Sequence, residues 1–135
     1  VSHLLLDTNA YVAFTLGDRR VLTAMAAADR TLLSFFAFAE LQAGFYGGTR
    51  VERNRQVLHE FLNRPDVEVA QVTHDTAECY GRLWVDLKRQ GTPIPINDVW
   101  IAAQCLQTAS VLVTYDRHFL KVPGLRIWPE LRDLK

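Results

Sequence analysis

The sequence predicts an α/β domain, a three-layer α/β/α arrangement in which a short central parallel sheet carries helices on both faces. Two observations point there. Short, near-continuously apolar runs alternate along the chain with longer amphipathic stretches, which is how strands buried on both faces and joined by helical crossovers read. Turn-forming residues then fall at the joints: Gly17-Asp18, Gly47-Gly48, Pro65-Asp66, Gly91-Thr92-Pro93 and Pro123-Gly124. A length of 135 residues with 49% hydrophobic content suits one globular domain spanning 1–135.

Taken in order, the run of leucines makes His3–Leu6 a strand, and Gly17-Asp18 closes a short helix over Ala10–Leu16. Arg20–Ala28 reads as a second helix and Leu32–Phe35 as a second strand. The next helix, Phe36–Tyr46, ends at the glycine pair, and Val51–Asn63 forms another before Pro65. Val67–Val72 is a third strand. Asp75–Gln90 is a long helix stopped by Gly91, and Asp98–Gln107 follows Pro95 at a helix start. Val111–Thr114 and Leu125–Trp128 complete the set as fourth and fifth strands.

Four acids do not fit a solvated surface. Asp7 ends Leu4-Leu5-Leu6, Glu40 lies inside Phe35-Phe36-Ala37-Phe38-Ala39-Glu40-Leu41, Asp98 opens Asp98-Val99-Trp100-Ile101-Ala102-Ala103, and Asp116 follows Val111–Thr114 by two residues. Carboxylates in apolar surroundings cost several kcal/mol unless a cation, a metal or a proton compensates them. No Lys or Arg stands within four residues of Asp7, Glu40 or Asp98, so the compensating cation is expected from outside the chain. Asp7 and Asp116 fall at the C-terminal ends of strands, and such ends share one edge of a parallel sheet, where ligands bind. Asp98 shares a helical stripe with Ile101, Ala102 and Cys105, and Glu40 shares one with Phe36, Ala37 and Ala43, so both are expected to face inward. Singly, each acid has a structural alternative: a helix cap for Asp98, an Asx turn for Asp7, a solvated turn with Arg117 and His118 for Asp116. Their joint placement on one edge favours a site.

Three or four carboxylates can hold one or two hard cations such as Mg²⁺ or Mn²⁺, which orient water and offset the charge developing on a phosphodiester. Asn9, Asn97 and Thr114 lie beside the acids and can orient them. Zinc is disfavoured, because His3, His59, His74 and His118 are scattered without ligand spacing. Cys79 and Cys105 read as buried free thiols of a reducing cytoplasm. Neither GxxxxGK[ST] nor GxGxxG follows a strand, which removes the nucleotide-binding α/β classes. The longest apolar stretch, Thr31 to Ala39, is too short to cross a bilayer, and no secretory leader is recognisable. Zero net charge argues against coating nucleic acid with a basic face, although twelve of the fifteen basic residues are Arg. Arg50, Arg53, Arg89, Arg117 and Lys121 are candidates for phosphate contacts, with Arg117 and Lys121 nearest the predicted edge. Asp18 falls in a predicted loop without a role. Tyr11 and Phe14 are expected as exposed apolar residues flanking a groove for an amphipathic partner segment.

The combination Leu6-Asp7-Thr8-Asn9, Ala39-Glu40-Leu41, Asn97-Asp98-Val99-Trp100-Ile101-Ala102-Ala103 and Val113-Thr114-Tyr115-Asp116-Arg117-His118-Phe119 resembles the PIN-domain nucleases, in particular the VapC-type toxins of bacterial toxin–antitoxin pairs. The likeness runs from residue 3 to about residue 128. It implies metal binding at Asp7, Glu40, Asp98 and Asp116, with Thr114 as the Thr or Ser beside the site. It further implies a Mg²⁺- or Mn²⁺-dependent endoribonuclease in which a metal-activated water attacks phosphorus in line, leaving 5′-phosphate and 3′-hydroxyl ends. Homodimers and inhibition by a VapB-type antitoxin are implied as well. Some relatives carry a further acid just past the last position, where this chain has His118. The alternative is a non-catalytic binding module of the same fold; the presence of all four acids favours the enzyme.

Overall fold

A computed structural model describes residues 2–129. In chain order the elements are β1 (His3–Leu6), α1 (Thr8–Thr15), α2 (Arg19–Ala26), β2 (Arg30–Leu33), α3 (Phe35–Tyr46), α4 (Val51–Leu62), β3 (Val67–Val69), α5 (His74–Gln90), α6 (Ile96–Gln107) and β4 (Val111–Val113), followed by a 3₁₀ helix over Arg117–Lys121. The strands form one sheet in the order β3-β2-β1-β4, and all three pairings are parallel.

Side chains alternate across each strand, and this splits the core in two. Leu5, Leu32 and Leu112 point to one face, where Leu83 and Leu87 of α5 and Ile101, Ala102 and Cys105 of α6 cover them. Leu4, Leu6, Leu33 and Val113 point to the other, against Tyr11 of α1, Val21 and Met25 of α2, Leu41 of α3 and Phe61 of α4. The result is the expected three-layer sandwich.

Several boundaries differ from expectation for local reasons. β2 ends at Leu33 because the Ser34 hydroxyl caps α3, accepting from Phe36 N–H at 3.2 Å, so Phe35 is helical. β3 stops at Val69. The fifth strand shrinks to one parallel bridge, Leu112 with Ile127, after the Pro123-Gly124 turn, where Gly124 takes φ +75°. Cys79 is half-buried, not buried as expected, while Cys105 is buried, with its thiol pushed up to about 12 by burial; both are free. Tyr11 also departs from expectation. It is 3% exposed and packs edge-on to Phe61 at 5.1 Å, so it belongs to the core; Phe14, half-buried, meets the same ring at 5.0 Å.

Candidate active site

Leu6 pairs with Val113, so the residues leaving β1 and β4, Asp7 and Thr114, emerge side by side. The strand order also turns here, since β2 and β3 lie on one side of β1 and β4 on the other. Connections diverge at such a switch point and leave a crevice at the C-terminal edge. α3 and α6 both begin at that edge.

Asp7 is 4% exposed and fully engaged. Its Oδ1 accepts Ala10 N–H at 2.9 Å as the N-cap of α1, and Oδ2 accepts the Thr114 hydroxyl. The helix-start role that the sequence offers as an alternative is thus observed, and it leaves the carboxylate at the crevice edge. Burial pushes the Asp7 carboxyl up to about 6. The Thr114 and Ala10 hydrogen bonds hold it down, and the charges of Asp116 and Asp98 add to the rise.

Asp98 is not the cap of α6; Pro95 occupies that position, and Asp98 is the third helical residue. Its stripe partners Ile101, Ala102 and Cys105 are all buried, as its spacing predicts. The carboxylate itself turns toward the edge, where Oδ2 lies 3.1 Å from His118 Nδ1. Burial raises its pKa, and the contact with His118 opposes the rise.

Asp116 precedes the 3₁₀ helix and caps it, Oδ1 accepting His118 N–H at 2.9 Å. Its own N–H donates to Thr114 Oγ1 at 2.9 Å. The Thr114 hydroxyl therefore links the two acids, donating to Asp7 while accepting from the Asp116 backbone. The same Asp116 Oδ1 is 3.1 Å from His118 Nδ1. One ligand atom each from Asp98, Asp116 and His118 lies within 4.8 Å of the others.

Glu40 departs from expectation. α3 buries Ala37 and Leu41, and the flank carrying Glu40 and Ala43 is exposed, so Glu40 sits at the rim. It is tied to the site through the Asn97 amide, which donates to Glu40 Oε1 next door to Asp98. Asn9 is exposed and makes no side-chain hydrogen bond to these acids among the described residues. Arg117 and Lys121 stand exposed on the 3₁₀ helix beside Asp116; Arg50, Arg53 and Arg89 are exposed on or beside α4 and α5.

Two supports are absent from the sequence reading. The Tyr115 hydroxyl donates to Asp18 Oδ2 at 2.5 Å, holding that carboxyl below its usual range, and Asp18 also caps α2. Asp18 thus anchors the Thr114–Asp116 segment to the α1–α2 turn. Gln104, fully buried in α6, accepts Phe35 N–H at 3.0 Å and donates to the Ala70 carbonyl at 2.9 Å, joining the start of α3 to the exit of β3. A glutamine inside the apolar run Ile101–Leu106 was the available signal, since a buried amide needs partners.

The compact donor group is Asp98, Asp116 and His118, two acids and one imidazole; Asp7 lies outside it but feels the charges of Asp116 and Asp98, and Glu40 stands at the rim. That chemistry fits a hard divalent cation. The profile of the PIN-domain family matches residues 4–125. The chain belongs to the PIN-domain family. Within that family it groups with the VapC proteins. It is 32% identical over 99 residues to the ribonuclease VapC1 of Haemophilus influenzae, covering 73% of this chain and 72% of that one. It is 30% identical over 119 residues to the ribonuclease VapC5 of Mycobacterium tuberculosis, covering 88% and 87%. The crystal structure of VapBC2 from Rickettsia felis bound to a promoter DNA fragment superposes with a TM-score of 0.83 at 25% identity, covering 93% of this chain and 97% of that one.

Proposed function

We propose that this PIN domain is a divalent-cation-dependent endoribonuclease, the toxin of a toxin–antitoxin pair, in which Asp7, Asp98 and Asp116 hold the cation and Glu40 completes the set from the rim. The observation that supports this most is the meeting of Asp98 and Asp116 with His118 within 4.8 Å at the switch point, beside a buried Asp7 whose carboxyl rises to about 6. Like charges gathered this way raise one another's cost, and a cation removes it. Mg²⁺ and Mn²⁺ suit the oxygen donors. When bound, such a cation lowers the pKa of a water and offsets charge building on a phosphodiester.

The chain's own residues prepare that site. Thr114 fixes the Asp7 carboxylate and the Asp116 backbone together, Ala10 N–H holds the second Asp7 oxygen, and His118 N–H holds Asp116 Oδ1. Asn97 holds Glu40 toward Asp98. Arg117 and Lys121 flank Asp116 and can take an RNA phosphate bidentately or as a point charge. RNA as substrate is supported by the relatives' names, and a VapB-type antitoxin as partner by the VapBC complex. No helix among the described residues is long and apolar enough to cross a membrane, in keeping with action in the cytoplasm.

The test is incubation of total RNA with purified protein in Mg²⁺, Mn²⁺ or EDTA, followed by mapping of new 5′ ends. Discrete ends with either metal, and none with EDTA or with Asp98→Asn, are expected. Undiminished cleavage in EDTA would remove the cation from the reaction.

A further inference from the structure

We propose that His118 is a nitrogen ligand of the cation, and that it tilts the site toward Mn²⁺ over Mg²⁺. The inference rests on the cation-dependent reading above and assigns the position where oxygen donors give way to imidazole.

Geometry supports it first. His118 Nδ1 is 3.1 Å from Asp98 Oδ2 and 3.1 Å from Asp116 Oδ1. Ligands at right angles on an octahedral ion with bonds of about 2.1 Å are about 3.0 Å apart. Both spacings therefore match those of neighbouring ligand atoms around one ion, and the three atoms form a compact set.

The backbone that carries the ring is also held in place. His118 N–H is fixed by Asp116 Oδ1 at 2.9 Å, and the next residue, Phe119, is 1% exposed in the core. The 3₁₀ turn thus fixes the backbone that carries the imidazole, while the side chain remains 47% exposed and open to a ligand. Asp116 caps the 3₁₀ helix that carries His118, whereas Asp98 comes from α6, so the imidazole sits between an acid of its own turn and one remote in sequence.

Chemistry then sets the consequence. Mg²⁺ takes oxygen ligands and keeps its waters, whereas affinity for nitrogen rises along the first-row transition series that Mn²⁺ opens. An imidazole beside two carboxylates favours Mn²⁺ relative to an all-oxygen site. The rival account is that His118 is a built-in cation, filling the place that the metal takes and leaving when it binds.

Mn²⁺ binding to the purified full chain, followed by pulsed EPR and by calorimetric titration, decides between them. The wild type should show ¹⁴N coupling from a directly bound imidazole, and His118→Ala should lose it while keeping its circular dichroism and melting cooperativity. His118→Ala should also weaken Mn²⁺ binding by about tenfold and Mg²⁺ binding much less, with His118→Asp narrowing the Mn²⁺/Mg²⁺ ratio. Bound Mn²⁺ without ¹⁴N coupling, or tighter Mn²⁺ binding by His118→Ala, would overturn the ligand role and leave the cation site standing. Mg²⁺ binding without Mn²⁺ binding would overturn this inference alone, and binding of neither cation by the wild type at millimolar concentration would overturn the reading beneath it as well.

Discussion

The two sides of the crevice are built from the same carboxylate chemistry on different supports. Asp7 leaves a central strand, is almost wholly buried, and has both oxygens engaged by a helix N–H and a hydroxyl. Asp98 and Asp116 lie on a helix start and before a 3₁₀ turn, with side chains 18% and 30% exposed and His118 between them. Water reaches one side and not the other. On the buried side the cost of a charge falls on folding stability; on the open side solvent screens it, and the charge is left available to a ligand. The site therefore has a rigid pole that is destabilising when ionised and a half-exposed pole where burial still raises the Asp98 pKa but solvent lessens the cost to folding.

The sharpest way to break that contrast is at the open pole. Asp98→Asn and Asp116→Asn should each lower single-turnover RNA cleavage by at least ~100-fold, by loss of transition-state electrostatics. Asp116→Asn should leave the unfolding free energy within about 0.5 kcal/mol, and Asp98→Asn, which removes a partly buried charge, should keep or slightly raise it. A variant that lost stability in proportion to activity would show that the open pole is structural after all.

Asp7→Asn should act in the opposite sense on stability. With its carboxyl raised from 3.8 to about 6, the folded state of the cation-free protein holds a proton that the unfolded chain has released between those values. Asp7's contribution is fully present below pH 3.8 and is lost as pH rises through about 6, a loss of up to about 3 kcal/mol at neutral pH. Asparagine keeps the cap acceptor but puts an amide N–H₂ where Oδ2 accepts the Thr114 hydroxyl, so the variant should lack that pH dependence and melt at or above the wild type at pH 7.5, the removed charge offsetting the lost hydrogen bond. Millimolar Mg²⁺ or Mn²⁺ should raise the wild-type melting temperature by linkage and barely move the variant. Identical wild-type melting curves with and without metal, at concentrations that support cleavage, would count against the account of the buried pole.

Thr114→Val probes the link between the poles. It removes the donor to Asp7 and the acceptor for Asp116 N–H, and should cost about 1–3 kcal/mol. Because the Thr114 hydrogen bond lowers the Asp7 pKa, its loss should move that carboxyl further up, readable by NMR titration of Asp7.

The smallest effect is expected at the rim. Glu40→Gln should leave stability within about 0.5 kcal/mol, since the side chain is exposed, and should reduce cleavage less than Asp98→Asn does. Equal loss at both positions would place Glu40 among the principal ligands.

Much of the frame was legible because it is written in local periodicity. The Leu4–Leu6 run, the apolar 111–113 run and the Gly and Pro joints name the strands and their ends, and strand ends of a parallel sheet share an edge whatever the packing details. The stripe of Asp98 with Ile101, Ala102 and Cys105 was legible for the same reason. Glu40 was not, because its neighbours in sequence are apolar all round the helix, and periodicity does not say which flank of such a helix meets the core. Tyr11 was misplaced similarly: an aromatic in a short helix is exposed or buried according to whether another element, here Phe61 of α4, arrives to cover it.

By itself the sequence determined the alternation of strands and helices, the parallel sheet and the edge that carries the acids, since these follow from side-chain period and chain direction. Only the tertiary structure decided how those acids divide. The β1–β4 pairing set Asp7 against Thr114 and out of water, while the 3₁₀ turn beyond β4 carried His118 to within hydrogen-bond distance of both Asp98 and Asp116. Burial and long-range proximity arise from elements remote in sequence, and those two quantities set the charge of each carboxylate and what it can hold.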